Sequence, residues 1–489
     1  MKEGLKTSLA QNKADLEALF GDTVDLYTKE IEICGFPCCI CMFEGLSSIE
    51  RLWIMMLDAL SKPQEQPASP EELFAFILER TAIPLESSVL EDMESVRQQI
   101  TAGTSIIFVD GVAGALVLST QSMQFRSVSE PSGEGNVRGS REGFTEPLRV
   151  NISLLRRLVR SGDLMAETMT FGSRTLTEGA LLYDRRLVPK HLLETVRKRL
   201  QTANLPFVFD SGYLAAFVQK SRFSFFQSVG YTERPDTAAA KICEGKIILL
   251  VNGSPFAMIM PYFFSENFQS MDDYSEKAYF ASLIRVLRYA AFLIAVLLPG
   301  VFVCVTNFTP ELLPPQLMYK VASAELATPL PLFMEALLVN FLLEIIREAG
   351  LRLPRPIGHS VSLVAALIVG DAAVSAGLLG TPVVIVLALT ALCTYVVPNL
   401  YEPVIVLRVL FILVGGVLGP VGMVALFFVM LLGMCEMNTF GIPYMAPITP
   451  GTKAFLRDGI LRRSWHTLAR ADFSIQELEK DGVQKGGTP

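Results

Sequence analysis

The stretch Tyr289–Phe308, YAAFLIAVLLPGVFVCVTNF, runs for twenty residues without a charge. That is long enough to cross a bilayer core of about 30 Å. It divides the chain into a soluble-type sequence before it and a membrane-type sequence after it, to about Pro450. Just upstream, Glu276–Arg288 reads as a helix running into the span. Downstream lie a polar stretch with Glu311, Pro314, Pro315 and Lys320, then Leu330–Ile346 with Glu335, Asn340 and Glu344. Ser360–Leu379 follows with Asp371, then Val383–Val397. Val404–Met434 carries Arg408 and is interrupted at Gly415-Gly416 and Gly419-Pro420, so it reads as a hairpin or two short spans. The count is four spans plus a hairpin, or six.

Orientation follows from the basic residues. Arg285 and Arg288 flank the first span, Arg347, Arg352 and Arg355 lie between the second and third, and Lys453, Arg457, Arg462 and Arg463 follow the last. The positive-inside rule puts all three groups in the cytoplasm, with an even number of crossings and both termini inside.

The 489 residues are 51% hydrophobic, with mean hydropathy +0.41 and net charge -7. The hydrophobic excess sits in the C-terminal part. No basic stripe supports nucleic-acid binding. The start, MKEGLKTSLAQNKADLEALF, lacks the apolar core of an export signal, so the eight cysteines are expected to stay reduced.

Before the span, an internal repeat organises the sequence. Residues 100–111 read ITAGTSIIFVDG and residues 242–253 read ICEGKIILLVNG, matching at Ile100/Ile242, Gly103/Gly245, Val109/Val251 and Gly111/Gly253. Asp-Gly and Asn-Gly favour hairpin turns, because both central residues need positive φ. Apolar runs follow each turn (Ala113–Leu118, Pro255–Met260), and helical stretches precede each (Val89–Ile100, Thr237–Ile242). The pattern predicts two related α/β subdomains, each with a helix feeding a hairpin.

Glu30–Phe43 reads as two strands around Gly35-Phe36-Pro37. Alternation puts Cys39, Cys41 and Phe43 on one face and Cys38, Ile40 and Met42 on the other. With Cys34, these cysteines read as small buried strand residues; zinc is the alternative. Ile49–Leu60 and Pro70–Thr81 read as helices, the second opened by Ser69-Pro70-Glu71-Glu72. Ser127–Pro147 is a Gly/Ser-rich linker. Glu146–Val159 and Pro189–Leu200 read as helices, Thr168–Gly172 and Ala180–Asp184 as strands. Phe207–Phe217 and Phe223–Val229 lead to the second hairpin, and Glu266–Tyr274 reads as a polar loop. The fold class is therefore an α+β N-terminal soluble domain of two related α/β subdomains, followed by an α-helical multi-span membrane domain. The limits are 1–126, linker 127–147, 148–275, membrane 276–450 and tail 451–489.

His191, His359 and His466 form no motif, and no P-loop, HExxH or GxSxG occurs. An enzyme is not expected, and no cofactor or metal is expected. The informative residues are polar groups at membrane depth: Glu335, Asn340, Glu344, Glu348, Asp371 and Arg408. Asn340, Glu344 and Glu348 are four apart and share a helix face. Such residues normally face protein or water, because a central carboxylate costs about 2.5–3.5 kcal/mol. They read either as an ion path or as interface ion pairs, Glu344–Arg347 and Glu348–Arg352. Ala366, Gly370, Ala373 and Gly377 give the third segment a small-residue face.

The motifs RGSREGFTE (Arg138–Glu146), TERPD (Thr232–Asp236), EGKIILLVNGSP (Glu244–Pro255), REAGLRLPRPIG (Arg347–Gly358), IVGDAAVSAGLL (Ile368–Leu379) and FGIPYMAP (Phe440–Pro447) occur in this order. In them the chain resembles the A subunit of the GerA-type spore germination receptors. The F protein associated with the SpoVA channel is a sister group of the same architecture. The resemblance implies an integral protein of the bacterial spore inner membrane, soluble domain and C-terminus facing the core. It implies a homo-oligomer acting as a nutrient-gated cation channel with two partners. One is a transporter-like, nutrient-binding B subunit, the other a lipoprotein C subunit. It marks Gly139, Arg141, Glu142, Gly143, Phe144, Glu146, Arg234, Pro235 and Asp236 as structural or subunit-contact residues. A secondary transporter, with helix breaks at Pro299-Gly300 and Gly419-Pro420, and a non-conducting scaffold or sensor are the other readings. The sister F protein would be an auxiliary ion channel.

Overall fold

A computed structural model of the chain describes residues 4–50, 52–53, 67–80, 89–121, 131, 133–136, 138–219, 224–352, 368–438, 440–449, 458–468 and 475. Most of the predicted helix Ile49–Leu60, the first part of the linker, the first half of Ser360–Leu379, Arg355, Lys453 and Arg457 lie outside the described residues. The chain forms two compact units: 1–220 with 229–262 and 472–489, and 221–228 with 263–471.

The first unit contains α1 (Leu9–Phe20), β1 (Leu26–Ile33), β2 (Phe36–Phe43), α2 (Pro70–Arg80), β3 (Val89–Leu90), α3 (Met93–Thr101), β4 (Ser105–Val109) and β5 (Ala115–Leu118). It continues with α4 (Leu148–Leu158), β6 (Leu164–Phe171), β7 (Thr177–Asp184), α5 (Lys190–Gln201), α6 (Gly212–Val218), β8 (Gly230–Thr232), α7 (Pro235–Cys243), β9 (Ile247–Val251) and β10 (Ala257–Met260). The strands form two five-stranded antiparallel sheets, ordered β1-β2-β4-β5-β3 and β6-β7-β9-β10-β8. The second order is the first shifted by five strands, so the sequence repeat is a repeat of topology. In the two hairpins only the glycines take positive φ, +93° at Gly111 and +92° at Gly253, a conformation that glycine adopts without strain. Asp110 and Asn252 do not, so these are five-residue loops rather than the expected turns with both central residues at positive φ.

The apolar runs SIIFV of β4 and IILLV of β9 are buried throughout. Helices explain this for the first sheet: α1 and α3 cover one face, with Cys39, Cys41, Phe43, Ile106 and Phe108. On the other, α2 packs with Cys38, Ile40, Met42 and Ile107. The thiols of Cys38, Cys39 and Cys41 thus divide between two faces, whereas Cys34, expected to be buried in a strand, is exposed in the turn between β1 and β2 with φ +51°. Cys39 and Cys41 have their sulfurs 3.7 Å apart, while burial pushes the Cys38 thiol up to about 12. Helix starts follow local chemistry, as where the Asp92 side chain accepts from Ser95 N at 2.9 Å to cap α3.

Several expectations need correction. Val89–Leu90 is an edge strand paired with β5, and the helix starts only at Met93, beyond its cap. Part of Phe207–Phe217 is helical, as α6. Glu266–Tyr274 is no polar loop: Phe264–Phe268 is a buried 3-10 turn and Asp272–Ser275 a single helical turn. Its aromatics decide this, since Phe264 and Phe268 pack edge-on at 5.0 Å and Phe268 stacks on Tyr289 at 3.8 Å.

The second unit is helical: α8 (Ala278–Phe308), α9 (Pro315–Leu326), α10 (Leu332–Arg352), α11 (Thr381–Val396) and α12 (Tyr401–Glu436). Among the described residues two helices, 278–308 and 398–436, are long and apolar enough to cross a membrane. α8 runs unbroken through Pro299-Gly300 and includes the predicted Glu276–Arg288 helix from Ala278, so no break occurs there. α12 passes helically through Gly415-Gly416 and turns only at Gly419, where φ is +61° and ψ -151°. The turn reverses the chain. A Cβ on Gly415 would lie 3.1 Å from the Met423 sulfur, whereas eight residues of straight helix span about 12 Å. Glu402 and Met437, at the two ends, bond Gln227 and Ser224 respectively. α12 is thus a helical hairpin, with Val404, Leu407 and Phe411 in one buried cluster with Met423, Met430 and Met434.

Candidate functional site

The helical unit is built on close backbone approach. A Cβ on Gly300 would lie 2.6 Å from the Phe411 carbonyl oxygen, and one on Gly415 the same distance from the Gly300 carbonyl oxygen. Glycine at both positions lets α8 and the first arm of α12 touch directly. This contact brings Arg408 against α8.

Arg408 is 1% exposed. Its Nε donates to the Ala295 carbonyl at 2.9 Å, Nη1 to Asn340 Oδ1 at 3.3 Å, and Nη2 to Thr394 Oγ1 and, at 3.5 Å, to the Thr390 carbonyl. Among the described residues no carboxylate lies within 4.0 Å of it, and these four acceptors are all neutral. The Ala295 carbonyl is available for a covalent reason. Its helical donor would be the amide of residue 299, which is proline and has none.

Asn340 starts a row on α10 that goes from buried to exposed. Asn340 is buried. One turn on, half-buried Glu344 accepts from the Tyr401 hydroxyl and lies 3.5 Å from Arg347 Nε. The Arg347 guanidinium stacks 3.3 Å from the Tyr401 ring centroid. A further turn on, Glu348 pairs with Arg352 at 2.6 Å, their side chains 54% and 79% exposed. Both predicted intrahelical pairs are therefore present. Elsewhere, buried Glu335 accepts from the Gly380 amide at 3.3 Å across to the start of α11. Asp371 is exposed on a π-helical turn, 3.5 Å from Ser375 Oγ.

The motif residues of the first unit form a different assembly. Arg234, buried, pairs with Asp236 at 2.6 Å and donates to the carbonyls of Glu134 and Ser140. Pro235 opens α7. The loop Arg234 holds is tied down again where Phe144 N meets Glu233 O at 2.7 Å, Glu142 pairs with Arg157, and Gly253 N meets Glu146 O at 2.8 Å. Gly139 takes φ +124° in that loop, Gly143 is buried and Arg141 exposed. Glu134 lies in the same loop. Burial pushes its carboxyl up to about 7, against the pull of the Thr232 hydroxyl at 2.7 Å. A buried pair, Arg156 with Asp25 at 2.6 Å, joins α4 to the first sheet's half.

Sequence reasoning found the Asn340 row by its spacing and Arg408 by its charge. It missed Thr390, Thr394 and the Ala295 carbonyl. The signal was available, since any proline inside a helix leaves the carbonyl four residues earlier without its donor. Among the described residues, no group of three or more His, Cys, Asp or Glu could hold a metal.

The sequence profile of the Bacillus/Clostridium GerA spore germination protein family matches residues 14–472. Spore germination protein KA of Bacillus subtilis (strain 168) is 33% identical over 97% of this chain and 88% of that protein. The uncharacterized membrane protein YfkQ of the same organism is 33% identical over 95% of this chain and 91% of that protein. A crystal structure of the N-terminal domain of the A subunit of the Bacillus megaterium spore germinant receptor GerK3 aligns at 24% identity. It covers 54% of this chain and 98% of that one, with a TM-score of 0.42.

Proposed function

The chain belongs to the Bacillus/Clostridium GerA spore germination protein family, and on that premise we propose that it is the A-type subunit of a nutrient-sensing germinant receptor. In this reading several copies assemble in the spore inner membrane as a cation channel, and 1–275 and the C-terminus face the core. A transporter-like B subunit binds the nutrient, and a lipoprotein C subunit completes the receptor. Nutrient binding opens the channel only by its differential affinity for the two states.

The observation that carries the conduction reading is the graded row Asn340–Glu344–Glu348. Its outer member is a half-exposed carboxylate on a helix packed among apolar ones. A charge at membrane depth is costly against lipid, so Glu348 calls for water or another subunit beside it. The carboxylates would favour cations over anions. The intrahelical pairs Glu344–Arg347 and Glu348–Arg352 favour a second reading, a non-conducting scaffold locked by ion pairs.

The test is potassium release from cells expressing the chain with and without its B and C partners, before and after adding a pool of amino acids and sugars. Release that needs all three chains and the pool, and that Glu344→Gln alters, supports the channel. An assembled complex that binds a component of the pool and releases nothing moves the assignment to the scaffold.

A further inference from the structure

Arg408 and Tyr401, both on α12, donate to consecutive members of the row on α10: Arg408 to Asn340 and Tyr401 to Glu344. Among the described residues the third member, Glu348, bonds only Arg352 of its own helix. The members are four residues apart, about 6 Å along the helix. Arg408 is fully buried and among the described residues donates only to neutral acceptors, while a carboxylate lies one turn along the face it touches.

The geometry points to a second register of α10 against α12, displaced by one turn, in which Glu344 takes the place of Asn340 at Arg408 and Glu348 takes the place of Glu344 at Tyr401. Both donors of α12 keep an acceptor. Arg408 gains a counterion, and Glu348 leaves its exposed position. Displacement the other way puts Ala336 opposite Arg408, so only one direction preserves the bonds. The contacts opposing the shift are the stacking of Arg347 on Tyr401, which Leu351 would replace, the Glu335–Gly380 bond, and the apolar packing of Leu332, Phe333, Ala336 and Val339, whose places Ala336, Leu337, Asn340 and Leu343 would take. One-turn steps of one packed element past another are an established mode of switching. The inference rests on the proposed channel only for its consequence. In the present register an unpaired positive charge among the helices repels cations, and in the displaced register Glu344 neutralises it.

Paired cysteines can report the register. Phe333 lies against Gly416, where a Cβ would meet its ring at 2.2 Å, so F333C with G416C bridges the present register. Leu337 is one turn further on, so L337C with G416C bridges the displaced one. Both pairs are oxidised in membranes on the full chain, and the cross-linked peptides are quantified by mass spectrometry. N340D, which gives Arg408 a carboxylate in place, should lower the displaced-to-present ratio at least tenfold. N340A should raise it at least tenfold, and adding E344Q to N340A should reverse the rise. Ratios that stay the same across N340D, N340A and E344Q overturn the inference; if N340A does not accumulate, the other two decide. Potassium release from the same cells separates the two proposals. Ratios that move as expected without any effect on release leave the register standing and count against conduction. Release from the parent chain with unmoved ratios does the reverse.

Discussion

Arg408 donates its Nε proton to the carbonyl of Ala295 at 2.9 Å, the one carbonyl of that helix turn that Pro299 leaves without its amide. A kink-prone residue on one helix and a charged residue on another thus answer each other. The two should be energetically coupled. P299A restores the helical amide, so the loss of Arg408 should then matter less. R408L is expected to destabilise the P299A chain by about 1–2 kcal/mol less than the parent, the cost of an orphaned carbonyl. Thermal unfolding in detergent of the four chains of this cycle measures it. Additivity within about 0.5 kcal/mol would sink the pairing.

Gly300 and Gly415 allow backbone contact, and a methyl group at Gly300 has nowhere to go. Gly300→Ala should cost about 1–3 kcal/mol through overpacking. Gly433 is the control: a Cβ there meets nothing within 4 Å, so Gly433→Ala should be neutral or stabilising by about 1 kcal/mol. Equal effects at the two sites would refute the close approach.

Arg156 and Asp25 are both buried and pair across the first unit. Arg156→Met alone should cost about 3–5 kcal/mol, because it strands a buried carboxylate. Changing both partners to apolar residues of similar size should cost far less. Urea unfolding followed by limited proteolysis of the full chain tests this, and equal single and double costs would contradict it.

The Glu134 carboxyl, held up to about 7 by burial and by neighbouring Glu233 and Asp236, makes the 133–146 loop pH-sensitive. Its folded-state value lies above the unfolded one of about 4.3, so the folded chain holds the proton longer. The loop should lose protection as pH rises from about 4.5 to 7 and stay weaker above that. Glu134→Gln should remove the slope while still accepting from Thr232. Amide exchange of 133–146 between pH 4.5 and 8 reads it; parallel slopes in both chains would rule it out.

The two sheets were legible because a hairpin with a glycine turn is a local event, written twice at a constant offset. Pairing Val89–Leu90 with β5 was not, since two edge residues carry no period. The hairpin in α12 was legible as one of two options. Glycine and proline mark where a helix can turn but not whether it does, and Gly415-Gly416 shows the difference: those glycines serve packing. In the candidate site, spacing alone put Asn340, Glu344 and Glu348 on one face. The partners of Asn340 and Glu344 on α12 depend on the register between helices far apart in sequence, which spacing along one helix does not encode. Arg234 and Asp236 stood out as a motif, yet the grip of Arg234 on the Glu134 and Ser140 carbonyls is a long-range closure of the same kind.

The reversal at Gly419 also has a meaning for labelling. A thiol-reactive probe at Glu402 and another at Met437 should report the same water compartment, although a mostly apolar stretch of thirty-odd residues separates them. An impermeant reagent should therefore modify cysteines at both positions or at neither. On this prediction the longest apolar stretch of the chain returns to the side it left, and the side on which Met437 lies is that of Glu402.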